Sequence, residues 1–211
     1  MKVHGVPQSP FVRKVRIALH EKQLRYEMAP LVPGMHPQGK MPVLGDGDVA
    51  VPDSSVICAY LERKHPLPPL YPDDPADLAR ALYLEEYADG HMSEGMGAIV
   101  LERIVKPNLL GQPTDEDLLA QLLESARQRW FGESRSAAGQ PLPSVMDYLE
   151  AQLPSDRDSV LARFGIADIA LGAHFGWLAA AGFELDTRRW PRTARYREAL
   201  EKRPSFQATQ T

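Results

Sequence analysis

The sequence predicts two units of different class, a small α/β domain followed by an all-helical domain. Strand-like and helix-like patterns alternate in its N-terminal third, whereas beyond it the apolar residues recur only at helical spacing. Between the two lies HPLPPLYPDDP, which is too rich in proline for a helix or a central strand. We therefore expect a first domain at residues 1–68, a linker at 69–77 and a helical domain at 78–211.

Five elements are expected in the first domain. MKVHG predicts a short strand, and the helix that follows has Pro10 at its first position, where a missing N–H costs nothing. LRYEMAPL alternates as a strand, and MPVLGDGDVAV predicts a hairpin around Asp46-Gly47. DSSVICAYLERK predicts a helix capped by Asp53 or Ser54. The order strand, helix, strand, hairpin, helix describes a compact α/β unit.

The second domain is expected to contain helices only. ADLARALYLEEYADGHMSEGMGAIVLERIV predicts a long helix, bent between Gly90 and Gly97. DEDLLAQLLESARQRWF predicts the next one, with Thr114 as its cap, and SVMDYLEAQL another after the flexible connection GESRSAAGQPLP. The apolar segment from Ile166 to Ala181 predicts a buried core helix, and TARYREALEK a last short one.

Composition excludes several classes of function. The 211 residues carry a formal net charge of -4, which argues against a nucleic-acid-binding surface. One cysteine excludes an internal disulfide and a multi-cysteine metal site. The N-terminus lacks a signal pattern, and the most apolar run contains Asp168 and His174 and is shorter than the ~20 residues of a membrane helix. We expect a cytoplasmic protein with no membrane partner.

Five segments in this order resemble the cytosolic glutathione transferases, and among them the serine-using classes such as phi, tau and zeta. They are SPFVRKVRIALHEK, GKMPVL, DSSVICAYL, the proline-rich linker and FGIADIAL. The resemblance implies a thioredoxin-like N-terminal domain, an all-α C-terminal domain and a homodimer. It also implies a detoxification reaction in which glutathione, as co-substrate and without a metal, is conjugated to small apolar electrophiles.

Ser9 has two interpretations. A serine before a helix is commonly its cap. A helix N-terminus also stabilises an anion, and a thiol with a pKa of about 8.5 needs such help to ionise at pH 7. The resemblance implies that the Ser9 hydroxyl donates a hydrogen bond to the glutathione sulfur and activates it. Both interpretations stay open at this point.

The same position argues against redox chemistry. Redox members of the thioredoxin fold carry C-x-x-C at this helix start, where this chain has SPFV at residues 9–12. Thiol–disulfide exchange by that route is therefore excluded. Cys58, in the middle of an apolar helix, is expected to be an inert core residue.

The resemblance implies further contacts with glutathione. Pro42 is expected to be cis, with the backbone N–H and C=O of Met41 bound to the peptide-like part of the ligand. Lys40 is expected to pair with a carboxylate, or else to be a solvated loop lysine. Ser54, at a helix start, is expected to bind another carboxylate. Asp53 is expected to hold the α-amino group or to act only as a cap; it is one methylene shorter than the commoner Glu.

The electrophile pocket is expected between the domains. Phe11 and the long helix after the linker would form it, with Met92 and Met96 as pocket, core or dimer residues. Arg13 and Arg16 are expected on a solvated helix face.

Four other residues are expected to have no part in the chemistry: Asp168, His4, Tyr26 and Tyr60. Asp168 matches the family's helix-capping position, although the cap residue itself is Gly165 rather than serine or threonine. Tyr26 and Tyr60 are not at the helix start and are unsuitable thiol donors. His4, at the end of the first strand, is expected to be structural.

Two alternative functions remain. One is a transferase-like scaffold that acts as a binding or regulatory subunit with little catalysis. The other is a glutathione-dependent isomerase or dehalogenase, ranked lower because Gln8 precedes Ser9 where a double-serine motif would stand.

Overall fold

The computed structural model describes residues 1–135 and 138–210. Its strands are β1 Lys2–His4, β2 Glu27–Ala29, β3 Val43–Asp46, β4 Val49–Pro52, β5 Ser134–Arg135 and β6 Pro141–Leu142. Its α-helices are α1 Pro10–Glu21, α2 Ser54–Lys64, α3 Pro75–Tyr87, α4 Met96–Val100, α5 Glu116–Phe131, α6 Val145–Gln152, α7 Ile166–His174, α8 Gly176–Ala181, α9 Pro191–Glu201 and α10 Pro204–Gln207. An α/β unit thus precedes a helical unit, as predicted.

The N-terminal sheet is mixed and has the strand order β2-β1-β3-β4. β1 pairs in parallel with β2 and antiparallel with β3, and β3 forms a hairpin with β4. Val3 lies opposite Met28 on one side and Leu44 on the other. Because Val3 and Leu44 are fully buried, the sheet places its central residues in the core. The arrangement is that of a thioredoxin-like domain.

The long helix predicted after the linker is interrupted, as expected. α3 continues into a π-helical turn, Ala88–Met92, and the chain breaks before α4, where Gly95 adopts a φ of 79°. α4 continues in turn into the π-helical segment Leu101–Leu110. The helix expected from Ile166 to Ala181 is likewise divided at Phe175 into α7 and α8.

Two expectations for the loops were wrong. Asp115 caps α5 by accepting a hydrogen bond from the Leu118 N–H, while the Thr114 hydroxyl donates to the Glu102 carbonyl instead. The connection after α5, expected to lack structure, contains the short β5–β6 pair on either side of residues 136–137, which lie outside the described residues.

Helix α7 joins the two domains. All of its residues are buried, and it packs against α1 of the first domain and α3 of the second. At its start the Ile166 N–H donates a 2.8 Å hydrogen bond to the carbonyl of Leu70, a buried linker residue. Within residues 1–135 and 138–210, no helix is both long and apolar enough to cross a membrane.

Asp168 holds the first turn of α7, as the sequence predicted. Its Oδ2 accepts from the Gly165 N–H at 2.9 Å, and its Oδ1 accepts from the Val160 N–H and the Tyr196 hydroxyl, both at 2.8 Å. Burial raises the pKa of Asp168 to about 6, although these three hydrogen bonds oppose the change.

Candidate functional site

Ser9 stands at the N-terminal end of α1 without capping it. Its N–H donates to the Val6 carbonyl and its own carbonyl accepts from the Arg13 N–H, at 3.1 and 2.8 Å. Although α1 is described throughout, none of its N–H groups donates to the Ser9 hydroxyl. Pro10 occupies the first helical position, and Ser9 is partly exposed. The hydroxyl is therefore available to a ligand at the positive end of the helix.

Met41 and Pro42 lie beside the loop that carries Ser9. The peptide bond between them is cis, as the resemblance implied. The Val6 N–H donates to the Met41 sulfur at 3.4 Å, which joins the β1–α1 loop to the start of β3. Within the described residues, neither the N–H nor the C=O of Met41 forms a hydrogen bond. A peptide-like ligand can use both groups.

The start of α2 supplies the next predicted contacts. Asp53 caps this helix, with Oδ1 accepting from the Ser55 and Val56 N–H groups at 2.9 and 3.2 Å. Its φ of 73° is uncommon for a residue other than glycine, and such backbone strain is concentrated at functional sites. Asp53 is exposed, whereas Ser54 beside it is only 2% exposed. The capping role of Asp53 is thus confirmed.

A buried ionic network that the sequence did not predict is hydrogen-bonded to the start of α2. The Lys14 ammonium is 2.6 Å from Asp89 Oδ2 and 2.7 Å from Glu85 Oε1, and it donates to Ser55 Oγ at 2.8 Å. The hydroxyls of Ser55 and Ser54 lie 3.0 and 3.5 Å from the same Asp89 oxygen. The sequence signal that could have predicted this network is the spacing of Glu85 and Asp89, which are one helical turn apart beside the apolar face of α3.

The network keeps its central cation charged. Burial by itself lowers the pKa of Lys14, but the Asp89 and Glu85 carboxylates outweigh it, and the net direction is upward. Burial raises the pKa of Glu85 more than the attraction of Lys14 lowers it. A buried charge without such partners would cost several kcal/mol, on the order of 3–5.

His174 connects this network to Phe11. Its Nδ1–H donates to the Ala170 carbonyl at 2.8 Å, and its Nε2 lies 3.6 Å from Asp89 Oδ1. Burial lowers the pKa of His174 to about 4, so the ring is neutral at pH 7. The Phe11 ring packs edge-on against it, with centroids 5.1 Å apart. Phe11 therefore lies at the domain boundary, two residues after Ser9 in the sequence.

Comparison with known proteins identifies the architecture. Residues 3–69 match the N-terminal domain model of the glutathione S-transferases, and residues 124–199 match their C-terminal domain model. A solved glutathione S-transferase from Methylobacterium radiotolerans JCM 2831, in complex with glutathione sulfonate, is 32% identical and superposes with a TM-score of 0.72. That match covers 100% of this chain and 96% of the other. The chain belongs to the glutathione S-transferase family.

Other relatives of this family member are more distant or match only part of the chain. The uncharacterized GST-like protein YibF of Escherichia coli K12 is 33% identical over 131 residues, 57% of this chain and 62% of its own length. FtsZ-localized protein A of Caulobacter vibrioides is 26% identical over 218 residues, 97% of this chain and 88% of its own. The chain thus spans less than two thirds of YibF, and its subclass within the transferases stays a prediction.

In this member of the glutathione S-transferase family, two residues considered for the pocket belong to the core. Met92 and Met96 have no exposed surface, because the π-helical turn after α3 and the start of α4 direct them inward. A side chain without exposed surface cannot contact a bound electrophile. Of the pocket, core and dimer roles considered for these two methionines, their burial therefore supports the core role.

The expected solvated face of α1 is also buried. Arg16 is 9% exposed; its Nε donates to the Tyr26 hydroxyl at 3.1 Å and its Nη1 to the carbonyls of Pro7 and Thr209, both at 3.4 Å. Desolvation lowers the pKa of Arg13. The C-terminal segment covers this face of α1, which helical periodicity could not show.

The remaining assignments follow from single contacts. Lys40 is exposed and, within the described part of the chain, forms no ion pair or hydrogen bond. The Tyr60 hydroxyl donates to Asp46, and His4 Nδ1 bonds the Pro30 carbonyl at 2.8 Å, which confirms a structural role for His4. Cys58 is fully buried and burial raises the pKa of its thiol, so it is an inert core residue as expected.

Proposed function

We propose that the protein is a glutathione transferase that conjugates the glutathione thiolate to small apolar electrophiles, with Ser9 as thiol activator. The observation that carries this proposal is the Ser9 hydroxyl, located at the positive end of α1 and not used to cap it. The relative from Methylobacterium radiotolerans, whose structure contains glutathione sulfonate, supports the choice of ligand.

The chemistry requires a stabilised thiolate. The partial positive charge of the α1 N-terminus and a hydrogen bond from Ser9 both favour the ionised sulfur, and each unit of lowered thiol pKa corresponds to ~1.4 kcal/mol. The thiol proton leaves to solvent. With an aromatic halide, the sulfur then attacks the carbon that bears the halogen, a C–S bond forms, and the C–halogen bond breaks to release halide.

Glutathione would lie along the three segments described above. Met41 would bind its peptide backbone, while the backbone N–H of Ser54, at the positive end of α2, would bind the glutamyl carboxylate. Asp53 uses one carboxylate oxygen as a cap, and the other is left to attract the α-amino group. Lys40 would pair with the remaining carboxylate, and Phe11 would form a wall of the electrophile pocket.

Location and assembly are proposed with the activity. We place the transferase in the cytoplasm, as a homodimer. The exposed apolar side chains of Leu82 and Tyr83 on α3, 43% and 56% accessible, support a partner surface on this helix.

The experiment measures glutathione binding by titration calorimetry and conjugation to a dinitrophenyl halide. We expect Ser9→Ala to lower kcat on the order of 10²-fold, as for loss of one donor to a developing anion, with glutathione affinity largely kept. Ser9→Thr keeps a hydroxyl and serves as the matched control. Absorbance of the bound thiolate against pH should show a raised thiol pKa in Ser9→Ala only. Full activity in that variant would contradict the role of Ser9.

A second candidate is a non-catalytic binding or regulatory subunit. It is favoured by the capping role of Asp53 and by the similarity to FtsZ-localized protein A over 97% of the chain. Under this alternative, the wild-type protein would neither bind immobilised glutathione nor conjugate the halide.

A further inference from the structure

We infer that Asp89 is a positioning residue of the glutathione site, which holds Ser54 and the start of α2 in place for the glutamyl end of the ligand. The inference rests on the proposed function for its ligand. It adds a residue of the second domain, outside the motifs of the first, to the determinants of glutathione affinity.

The contacts of Asp89 converge on the start of α2. Its Oδ2 accepts from Lys14 of α1 at 2.6 Å and from Ser55 at 3.0 Å, and Ser54 Oγ lies at 3.5 Å. Its Oδ1 faces His174 of α7. One carboxylate therefore joins α1, which begins beside Ser9, to α2 and α7.

One oxygen of the Asp89 carboxylate is buried, although the side chain as a whole is 14% exposed. Asp89 Oδ1 and His174 Nε2 are both inaccessible, and within the described residues neither forms a hydrogen bond. Because Nδ1 of His174 donates to a carbonyl, its Nε2 and Asp89 Oδ1 are two acceptors facing each other. A ligand has no access to this oxygen, whereas the helix start held by Oδ2 is where the glutamyl carboxylate would bind.

Charge balance provides a matched control. Lys14 is paired with two carboxylates, so Asp89→Asn leaves it with Glu85, and Glu85→Gln leaves it with Asp89. Either variant keeps one ion pair in the buried network, and each should fold. Glu85 also faces Ser55, but within the described residues only Asp89 accepts a hydrogen bond from the Ser54 hydroxyl. Each variant removes one ion pair of Lys14, but only Asp89→Asn changes the acceptor of the Ser54 hydroxyl. Comparing the two therefore separates the effect of a weakened ionic network from the effect of a displaced Ser54.

We expect Asp89→Asn to raise the glutathione Kd and KM about 10-fold while kcat changes less than about 3-fold, since a displaced helix start weakens binding and leaves Ser9 in place. Glu85→Gln should change both less than about 3-fold. In a Ser54→Ala background, Asp89→Asn should have little further effect, because the two residues act as one unit. Equal effects of Asp89→Asn and Glu85→Gln on Kd would overturn the inference.

A second readout does not depend on glutathione. Hydrogen exchange at the amides of residues 54–57 should speed up in Asp89→Asn and stay near the wild-type rate in Glu85→Gln. If the wild-type protein does not bind glutathione, the proposed function fails and this measurement decides whether Asp89 positions α2. Equal exchange rates in the two variants would refute that role.

Discussion

The carbonyl oxygen of Leu70 lies closer than van der Waals contact allows to the point where a Cβ atom on Gly165 would stand, and it accepts the hydrogen bond of the Ile166 N–H. The linker backbone thus caps α7 at the position where the family pattern has a serine or threonine and this chain has Gly165. Gly165 is required by this close approach, and is not simply a tolerated loss of a capping side chain.

Gly165→Ser should therefore destabilise the protein by about 1–3 kcal/mol, because the added atoms displace the linker backbone. Urea unfolding measures the change. Gly97→Ala, in α4 and with no atom within 4 Å of its added Cβ, is the control and should stabilise by up to about 1 kcal/mol. A Gly165→Ser protein more stable than wild type would show that a hydroxyl caps α7 after all.

Ser9 and Ser144, which each stand directly before a helix, should differ in their contribution to stability. The Ser144 hydroxyl accepts from the Asp147 N–H at 3.1 Å and caps α6, whereas the Ser9 hydroxyl caps nothing in α1. Ser144→Ala should cost about 1 kcal/mol of unfolding free energy and Ser9→Ala less than about 0.5. An equal cost in thermal or urea unfolding would mean that Ser9 caps its own helix, which would weaken the thiol-activating role.

Two buried groups should make opposing contributions to the pH dependence of stability. His174 has a folded-state pKa of about 4, below its ordinary value of 6.5. Its contribution is fully present above pH 6.5 and is lost, by about 3 kcal/mol, as pH falls through 4. Asp168 has a folded-state pKa of about 6, above its ordinary 3.8. Its contribution is present below pH 3.8 and is lost, by a similar ~3 kcal/mol, as pH rises through 6.

Single variants should reveal these two slopes. Relative to wild type, His174→Gln removes the contribution that rises with pH, so its unfolding free energy should rise less, or fall more, from pH 4 to 6. Asp168→Asn removes the contribution that falls with pH, so its unfolding free energy should rise more over the same interval. Urea unfolding at pH 4, 5, 6 and 7 gives each variant's difference from wild type, and changes of slope of the same sign in both variants would contradict the assignment.

The C-terminal helix should depend on one carboxylate at the end of α1. Glu21 accepts from Arg203 Nη2 and Nε at 2.9 and 3.2 Å and from the nearly buried Ser205 hydroxyl. Glu21→Ala should cost about 1–2 kcal/mol and speed proteolysis after α9. Glu198→Ala, which removes an exposed pair with Lys202, should leave the unfolding free energy nearly unchanged. Equal losses in the two variants would argue against a special anchoring role for Glu21.

Most of the secondary structure was predictable because its signals are local. The hairpin around residues 46–47, proline at the start of α1 and the apolar spacing of the later helices each involve neighbours in the sequence. The π-helical turn that buries Met92 was not predictable, since a change in helical winding depends on the packing of α3 against α7. The sequence therefore could not decide between the pocket and core roles of Met92 and Met96.

By itself, the sequence determined the order of elements, the family to which their motifs are similar, and the positions of Ser9, Met41, Pro42 and Asp53 at the ends of elements. Only the tertiary structure decided which polar groups have a hydrogen-bond or ion-pair partner within the protein. The Ser9 hydroxyl does not cap α1, Leu70 caps α7, and Lys14 is buried against Glu85 and Asp89. The physical reason is that hydrogen bonds and ion pairs join residues distant in sequence, and the charge of a buried group depends on partners that local periodicity does not reveal.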